Sequence, residues 1–240
     1  MRSTDARAWH EHFLLFNDSI IGESKGDRRW LTLRNADRNS ESRRPVASTP
    51  RWMLELSNLQ LSLEQHEELL AFTDENEGML KAFLGRNIRQ CLFENASGAP
   101  QLLGVGDGAK KTFQLIKTRP IQGRIGTNLV VRFPNFRYPA LEDIADNEWD
   151  ALPELRIYLN GVLQMGGFDV DRTTGRVTFD VAPAIGVQVH VTGGFYILLV
   201  ANQDGIPTTP DGGYFNVSDG VSFAEPVGGA DAELARMGLL

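Results

Sequence analysis

The chain has 240 residues, 42% hydrophobic and 23% charged, with a formal net charge of −7, which is apolar material enough for one large domain or two small ones and excludes disorder and collagen-like repetition. The acidic balance argues against a general grip on nucleic acid, which needs surplus Lys and Arg facing phosphates. Cys91 is the single cysteine, so neither an intramolecular disulfide nor a Cys-based zinc site can be assembled.

The 24 glycines and 11 prolines suit a turn-rich β protein more than a helical bundle. No stretch reaches the apolar length of a membrane-spanning helix and the start carries no signal-peptide core, so the sequence reads as a soluble protein folded in a reducing cytoplasm. Phe13-Leu14-Leu15-Phe16 before Asn17-Asp18 suggests a short strand, and a second is expected from Arg28 to Leu33. The stretch from Arg34 to Pro50 is polar and Arg-rich, bounded by Pro45 and Pro50, and reads as an exposed loop. Trp52, Leu54 and Leu56 then fall on one side of a pleated strand, which should be a core face.

Ser62 stands three residues before Gln65, a capping-box spacing that starts a helix at about residues 62–77. His66, Leu69, Leu70 and Thr73, widened by Leu63 and Phe72, form its apolar stripe, with Glu64, Glu67, Glu68 and Asp74 toward water and Gly78 as the stop. Met79–Leu84 is expected to return as a strand, completing an N-terminal β domain with one packed helix over residues 1–96.

The breakers from Ala96 to Pro100 mark a boundary, after which the periodicity turns to two. Gly106-Asp107-Gly108 between Leu102–Val105 and Thr112–Ile116 reads as a hairpin turn. Asn160-Gly161 between two β-rich runs is a stronger hairpin signal, and Arg172–Gly175 marks another. With strands at 187–191 and 195–200, residues 97–201 are expected to form an antiparallel β-sandwich or small barrel, so that the fold class is mainly β, an α+β chain rich in strands. Residues 139–153 form an acidic surface excursion, and the Gly- and Pro-rich residues 202–240 read as an extended arm.

Motifs for chemistry are sought with little return. Gly104–Thr112 fails the phosphate-loop pattern in every register. Asp169-x-Asp171-x-Thr173-x-Gly175 resembles a calcium loop, but its glycine falls one place late and Asp180 stands where a Glu is required, so a hairpin turn explains it better. His10 and His12 lack a third ligand, His66 suits a hydrogen-bonded core or edge position, and His190 alternates within a strand. Cys91 beside Leu92-Phe93 reads as a small buried apolar residue, and no nucleophile elbow occurs. Paired carboxylates of a hydrolase could come from anywhere in the fold, but no motif supports them. No catalytic, cofactor-binding or metal-ligating residue is assigned, and the chain is read as not an enzyme. Arg34, Arg38, Arg43, Arg44 and Arg51 make a basic loop on an acidic protein, read either as a solvated face or as a contact loop for an acidic protein surface or a passing nucleic acid.

The order of several segments carries a resemblance. Arg29-Trp30, Pro50-Arg51-Trp52-Met53-Leu54-Glu55-Leu56, the helix closed by Gly78 and Lys81-Ala82-Phe83-Leu84 come first. Gly104–Gly108 leading to Thr112-Phe113-Gln114-Leu115 and Arg132-Phe133-Pro134 follow, then Ile157–Val162, Val170–Phe179 and Pro183-x-x-Gly186. In that order, over about residues 28–200, they resemble the distal tail proteins of long-tailed bacteriophages and gene-transfer-agent particles, a conserved phage-domain family of unknown function. The family's usual ending, a short apolar strand closing with Arg-Phe, is here replaced by Phe195–Asn202 and the Gly/Pro arm, and the acidic excursion looks like an addition.

The resemblance implies a homo-oligomeric, normally hexameric ring at the virion tail tip, assembled in the host cytoplasm. A tube-like N-terminal domain would line the inside and the C-terminal β domain would sit outside. The ring would join the tail tube protein to the hub or baseplate protein, with the length-determining tape-measure protein as a further neighbour. It implies no cofactor and no membrane insertion, and DNA only in transit through an acidic channel. The alternative is a carbohydrate-binding β-sandwich adhesin of the tail tip, with Trp9, Tyr138, Trp149 and Tyr214 as candidate platforms and Trp30 and Trp52 assigned to the core.

Overall fold

The computed structural model describes residues 21–29, 32–37, 40–45, 51–75, 81–85, 91–94, 98–121, 124–136, 153–202, 208–217, 221–226 and 235. These residues are mostly β, in several antiparallel sheets with one helix. The chain divides into two compact units, one of residues 1–85 with 198–240 and the other of residues 86–197. Where the breakers at residues 96–100 suggest one boundary, the chain instead leaves the first unit after Gly85 and rejoins it at Leu198.

In the first unit, strands β1 (Ile21–Arg29), β2 (Thr32–Asp37), β3 (Ser40–Pro45) and β4 (Arg51–Leu61) precede helix α1 (Leu63–Glu75) and β5 (Phe83–Gly85). The stretch read as an exposed Arg-rich loop is a hairpin, with β2 and β3 paired from Thr32 and Pro45 to Asp37 and Ser40. Polar composition misled here, because a two-stranded ribbon satisfies its backbone without needing an apolar pattern.

The organising element is β4. Along one edge it pairs with β1, from Arg29 opposite Arg51 to Ile21 opposite Gln60. Glu23 lies opposite Ser57 whereas Ile21 lies opposite Gln60, so β4 spends one residue more than β1 in that interval, a β-bulge. Trp52 and Leu54 are buried before it, and Leu59 and Leu61 after it. Side chains alternate with a period of two, so the extra residue is what lets even-numbered positions face the core before the bulge and odd-numbered ones after it.

Helix α1 begins with the anticipated reciprocal cap. The Gln65 N–H donates to Ser62 Oγ at 3.2 Å and the Ser62 N–H to Gln65 Oε1 at 2.9 Å. Its inward face is narrower than the sequence stripe. Leu69 is buried and Gln65, His66, Phe72 and Thr73 are half-buried, while Leu63 and Leu70 are 57% and 40% exposed. At about 100° per residue, Leu70 and Leu63 lie on the far flank of an arc centred on Leu69. Phe72 meets Phe83 edge to face at 5.0 Å, and Phe83 meets Phe223 likewise at 5.2 Å.

The second unit contains β6 (Gln101–Val105), β7 (Thr112–Gln114), β8 (Ile116–Ile121), β9 (Arg124–Val130), β10 (Phe133–Pro134), β11 (Arg156–Leu159), β12 (Val162–Gln164), β13 (Phe168–Asp171), β14 (Arg176–Phe179) and β15 (Gln188–Thr192). One sheet runs β12-β11-β15-β6 and another β13-β14-β7, while β8 and β9 form a separate ribbon. Their inward faces carry Ile157, Val189 and Val191 from the first sheet and Phe113, Val170, Val177 and Phe179 from the second. The missing side chain of Gly104 on β6 leaves room for the Phe113 ring of β7, whose atoms would lie 3.2 Å from a Cβ there. The two sheets are therefore laid face to face over a common apolar core.

The Asn160-Gly161 hairpin forms as expected between β11 and β12, with φ of 48° and 81° at its two turn residues, the positive pair that a tight hairpin of this hand requires. The Arg172–Gly175 hairpin joins β13 to β14. Gly106-Asp107-Gly108, however, is not a hairpin turn, because β6 pairs with β15 and β7 with β14. The Gly106 N–H donates to Val187 O at 2.7 Å and the Gly108 N–H to Pro183 O at 3.0 Å, which carries the chain across to the other sheet instead of back along β6.

Strand β16 (Phe195–Ala201) passes across the division between the units. Its start pairs with β10 and its end with β19 (Val221–Ala224), the last strand after β17 (Thr209–Asp211) and β18 (Tyr214–Val217). The stretch read as an extended arm thus contains three strands among its described residues. On the edge of β4 away from β1, β19 pairs with Met53–Leu56 and β18 with Leu59–Leu61, one on each side of the bulge. Gly212 and Gly213, at φ of +57° and +95°, make the turn between β17 and β18.

Ser62→Ala should cost about 1 kcal/mol of stability through loss of the cap, read as a lower denaturation midpoint at unchanged slope. Gly175→Ala should cost more, about 2–4 kcal/mol, because φ is +67° and a Cβ would lie 1.7 Å from Val131 O.

Candidate interaction surface

Four of the five arginines read as one contact loop lie on paired strands. Arg34 on β2 is the register partner of Arg43 on β3, Arg44 stands opposite Leu33, and Arg51 opens β4 opposite Arg29. Arg38 lies outside the described residues, as do His10, His12, Trp9, Trp30, Tyr138, Trp149 and the acidic segment 139–153 apart from Pro153. Of the candidate glycan platforms, Tyr214 is described and is 51% exposed, at the start of β18. Trp52 is buried in the core, as read from its strand.

His66 takes the hydrogen-bonded edge position expected of it. Its Nε2 lies 3.0 Å from Thr208 Oγ1, and its ring stacks on Phe215 at 3.9 Å and 4°. These contacts fasten the β17–β18 hairpin to the helix. Cys91 is fully buried, and its carbonyl accepts the Phe195 N–H. Close by, Lys117 Nζ donates to the carbonyls of Phe93 and Glu94, and Glu94 Oε1 accepts the Gly193 N–H at 2.8 Å.

The carboxylates of the two glycine-rich turns serve their own loops. Asp171 Oδ1 accepts from the N–H and hydroxyl of Thr173 and the N–H of Thr174, and its Oδ2 accepts the Thr174 hydroxyl at 2.7 Å. Burial pushes this carboxyl up, and the four hydrogen bonds outweigh it, holding the group below its ordinary value of 3.8. Asp107 is held low by the N–H groups of Lys110 and Ala109, which donate to Oδ1 at 2.6 and 2.9 Å. Both are turn-forming arrangements that occupy the carboxylates with the chain's own donors. Among the described residues no group of three His, Cys, Asp or Glu side chains is placed to hold a metal ion, and no helix is long and apolar enough to cross a membrane.

The feature that sequence reading missed lies at one end of the 86–197 unit. There the turn at Asn160-Gly161 and the loops 106–111, 165–167 and 180–187 adjoin one another, because β11, β15, β6, β14 and β13 all begin or end on that side. Met165, Ile185 and Val181, at 85%, 84% and 79% exposure, stand out from these loops together with Val162 at 64% and Val105 at 51%. The signal available in the sequence was a large apolar residue inside a run of turn formers, as in Met165-Gly166-Gly167 and Pro183-Ala184-Ile185-Gly186. Period-two counting discards such residues because they belong to no strand.

The Asp171 arrangement carries a pH dependence. A carboxyl depressed in the folded state contributes stability that is complete above its ordinary value and is lost as pH falls through the lowered one. The stability difference between the native chain and the Thr173→Ala/Thr174→Ala variant should therefore be constant near neutrality and shrink as pH is taken from about 5 toward 2 in parallel denaturation series. No family model and no curated protein matches this sequence.

Proposed function

We propose that this protein is a structural subunit of a long-tailed, phage-type tail tip, forming a hexameric ring that joins the tail tube to the hub or baseplate and leaves a channel for DNA. The observation that carries this reading is the order of segments from Arg29-Trp30 to Pro183-x-x-Gly186, which resembles the distal tail proteins along most of the chain. A strand-rich fold in which one helix is packed on the N-terminal part is compatible with it.

The physical chemistry supports a role exercised through surfaces. Asp107 and Asp171, the two described carboxylates held clearly below their ordinary value, are each engaged by their own turn. Strands β12 and β6 are the outer strands of one sheet and β13 and β7 of the other, and a closed assembly covers such edges without growing into open fibres. A ring of chains each at −7 would be strongly acidic, so that DNA passing through it would be repelled from the wall instead of retained.

Purified full-length protein, measured by mass in solution and by electron-microscopic class averages, should yield closed rings, alone or on addition of the tube protein. Antibodies raised against the chain should decorate particles at the tail tip. Labelling confined to other parts of the particle, or catalytic turnover abolished by neutralising one carboxylate, would overturn the reading.

A further inference from the structure

We infer that the β2–β3 ribbon is a docking arm for acidic protein, and that its occupant is the acidic segment 139–153 of a neighbouring copy of this chain. The inference rests on the ring reading and deepens it by naming a contact through which neighbours would hold each other.

The ribbon prolongs the pairing of β1 with β4. That pairing ends with Arg29 opposite Arg51, and beyond it Thr32 and Pro45 begin the ribbon, which runs to Asp37 and Ser40. Among the described residues β2 and β3 have no strand partner except each other. Leu33 and Ala36 fall on opposite faces, so neither face carries an apolar row. A two-stranded ribbon of this kind is marginal in water by itself and is held by what it packs against.

Charge decides what that is. Residues 25–51 hold eight basic and three acidic side chains, a surplus of five on a chain whose net charge is −7, so the remaining residues carry −12. Register concentrates the surplus, because Arg34 is directly opposite Arg43 and Arg29 directly opposite Arg51. Opposed positions on paired strands bring Cβ atoms to about 5 Å, where like charges are destabilising. Glu41 is the one acid on the ribbon face of Arg34 and Arg43, and Asp37 the one on the face of Arg44. Such a strip is stabilised by acids brought from outside it.

The chain itself supplies them. Segment 139–153 carries Glu142, Asp143, Asp146, Glu148 and Asp150 and no base, five charges against the surplus of five. Its flanks are pinned together. Asn135 O accepts the Leu155 N–H at 2.7 Å, Gly194 O accepts the Asn135 N–H at 2.9 Å, and the Gly194 N–H donates to Pro153 O at 2.7 Å. The 16 residues between Phe136 and Pro153 therefore leave and return at one place. Out and back they span up to about 25 Å, against a radius of gyration of about 13 Å for a unit of this size, which is reach enough to meet a neighbour. Two different and complementary surfaces on one chain make a head-to-tail contact, the kind that closes into a ring. Duplex DNA suits the ribbon less well, because it would also meet the −12 of the rest of the chain.

The test is a charge exchange between copies, read by sedimentation velocity on the full chain. One variant reverses the ribbon, Arg34→Glu/Arg43→Glu/Arg44→Glu, and the other the segment, Glu142→Lys/Asp143→Lys/Asp146→Lys. Each alone should associate at least about tenfold more weakly than the native chain. An equimolar mixture should recover most of the loss, because each ribbon then meets a segment of opposite sign. Without any variant, native association should fall at least about tenfold between about 50 and 500 mM salt. Melting curves accompany each variant, and where one melts early the salt series decides. Salt-insensitive association, a native chain monomeric to about 100 µM in low salt, or variants that associate like the native chain overturn the inference. So does a mixture of natively melting variants that fails to recover. Recovery confined to a chain carrying both sets of changes would place the contact within one copy and overturn it as well, as would duplex DNA bound by the native chain and lost from the ribbon variant. Rings that persist in both variants would sink this contact and leave the ring reading standing. Pairs or open chains that follow the charge exchange would keep the contact and remove the ring.

Discussion

The extra residue in β4 is the constraint on which the first unit depends. A strand of eleven residues with strict alternation would turn either Trp52 and Leu54 or Leu59 and Leu61 to the wrong side. The bulge puts both pairs in the core and separates the places where β19 and β18 dock on the same edge. Helix α1 and the β17–β18 hairpin then follow, tied together through His66, Thr208 and Phe215. The far end of the chain is locked to the start of β4 by the Glu225 N–H on Trp52 O and the Trp52 N–H on Glu225 Oε2.

Because β4 takes strands from both ends of the chain, residues 86–197 lie between two parts of one unit in sequence while forming their own core. In that second unit the turns provide the rigidity. Asp107 and Asp171 accept hydrogen bonds from N–H groups of their own turns, and Asn160 accepts the N–H of Gln188 on the facing strand. Such loops can carry large apolar side chains in water without collapsing onto them.

The proposed structural role would draw these features together. Asp107 and Asp171 maintain turns, His66 fastens a hairpin, and Cys91 is buried packing. Outer strands of the sheets, exposed apolar side chains such as Met165 and Ile185, and a net charge of −7 are the features that the proposed assembly would use. Each of these acts on other macromolecules through contact area and field.

How much of this was legible in the residues depends on the range of the interaction concerned. The Ser62–Gln65 cap, the Asn160-Gly161 turn and the Asp171 turn each close within a few positions, so the local sequence contains both partners and determines the outcome. The burial of Trp52, Leu54 and Cys91 followed equally from apolar character and alternation. Strand partnership did not follow, since backbone N–H and C=O groups are chemically alike in every residue and carry no address. The pairing of β4 with β18 and β19 and the divergence of β6 from β7 were decided only in three dimensions. There the gain from filling a common core selects among many locally equivalent strands.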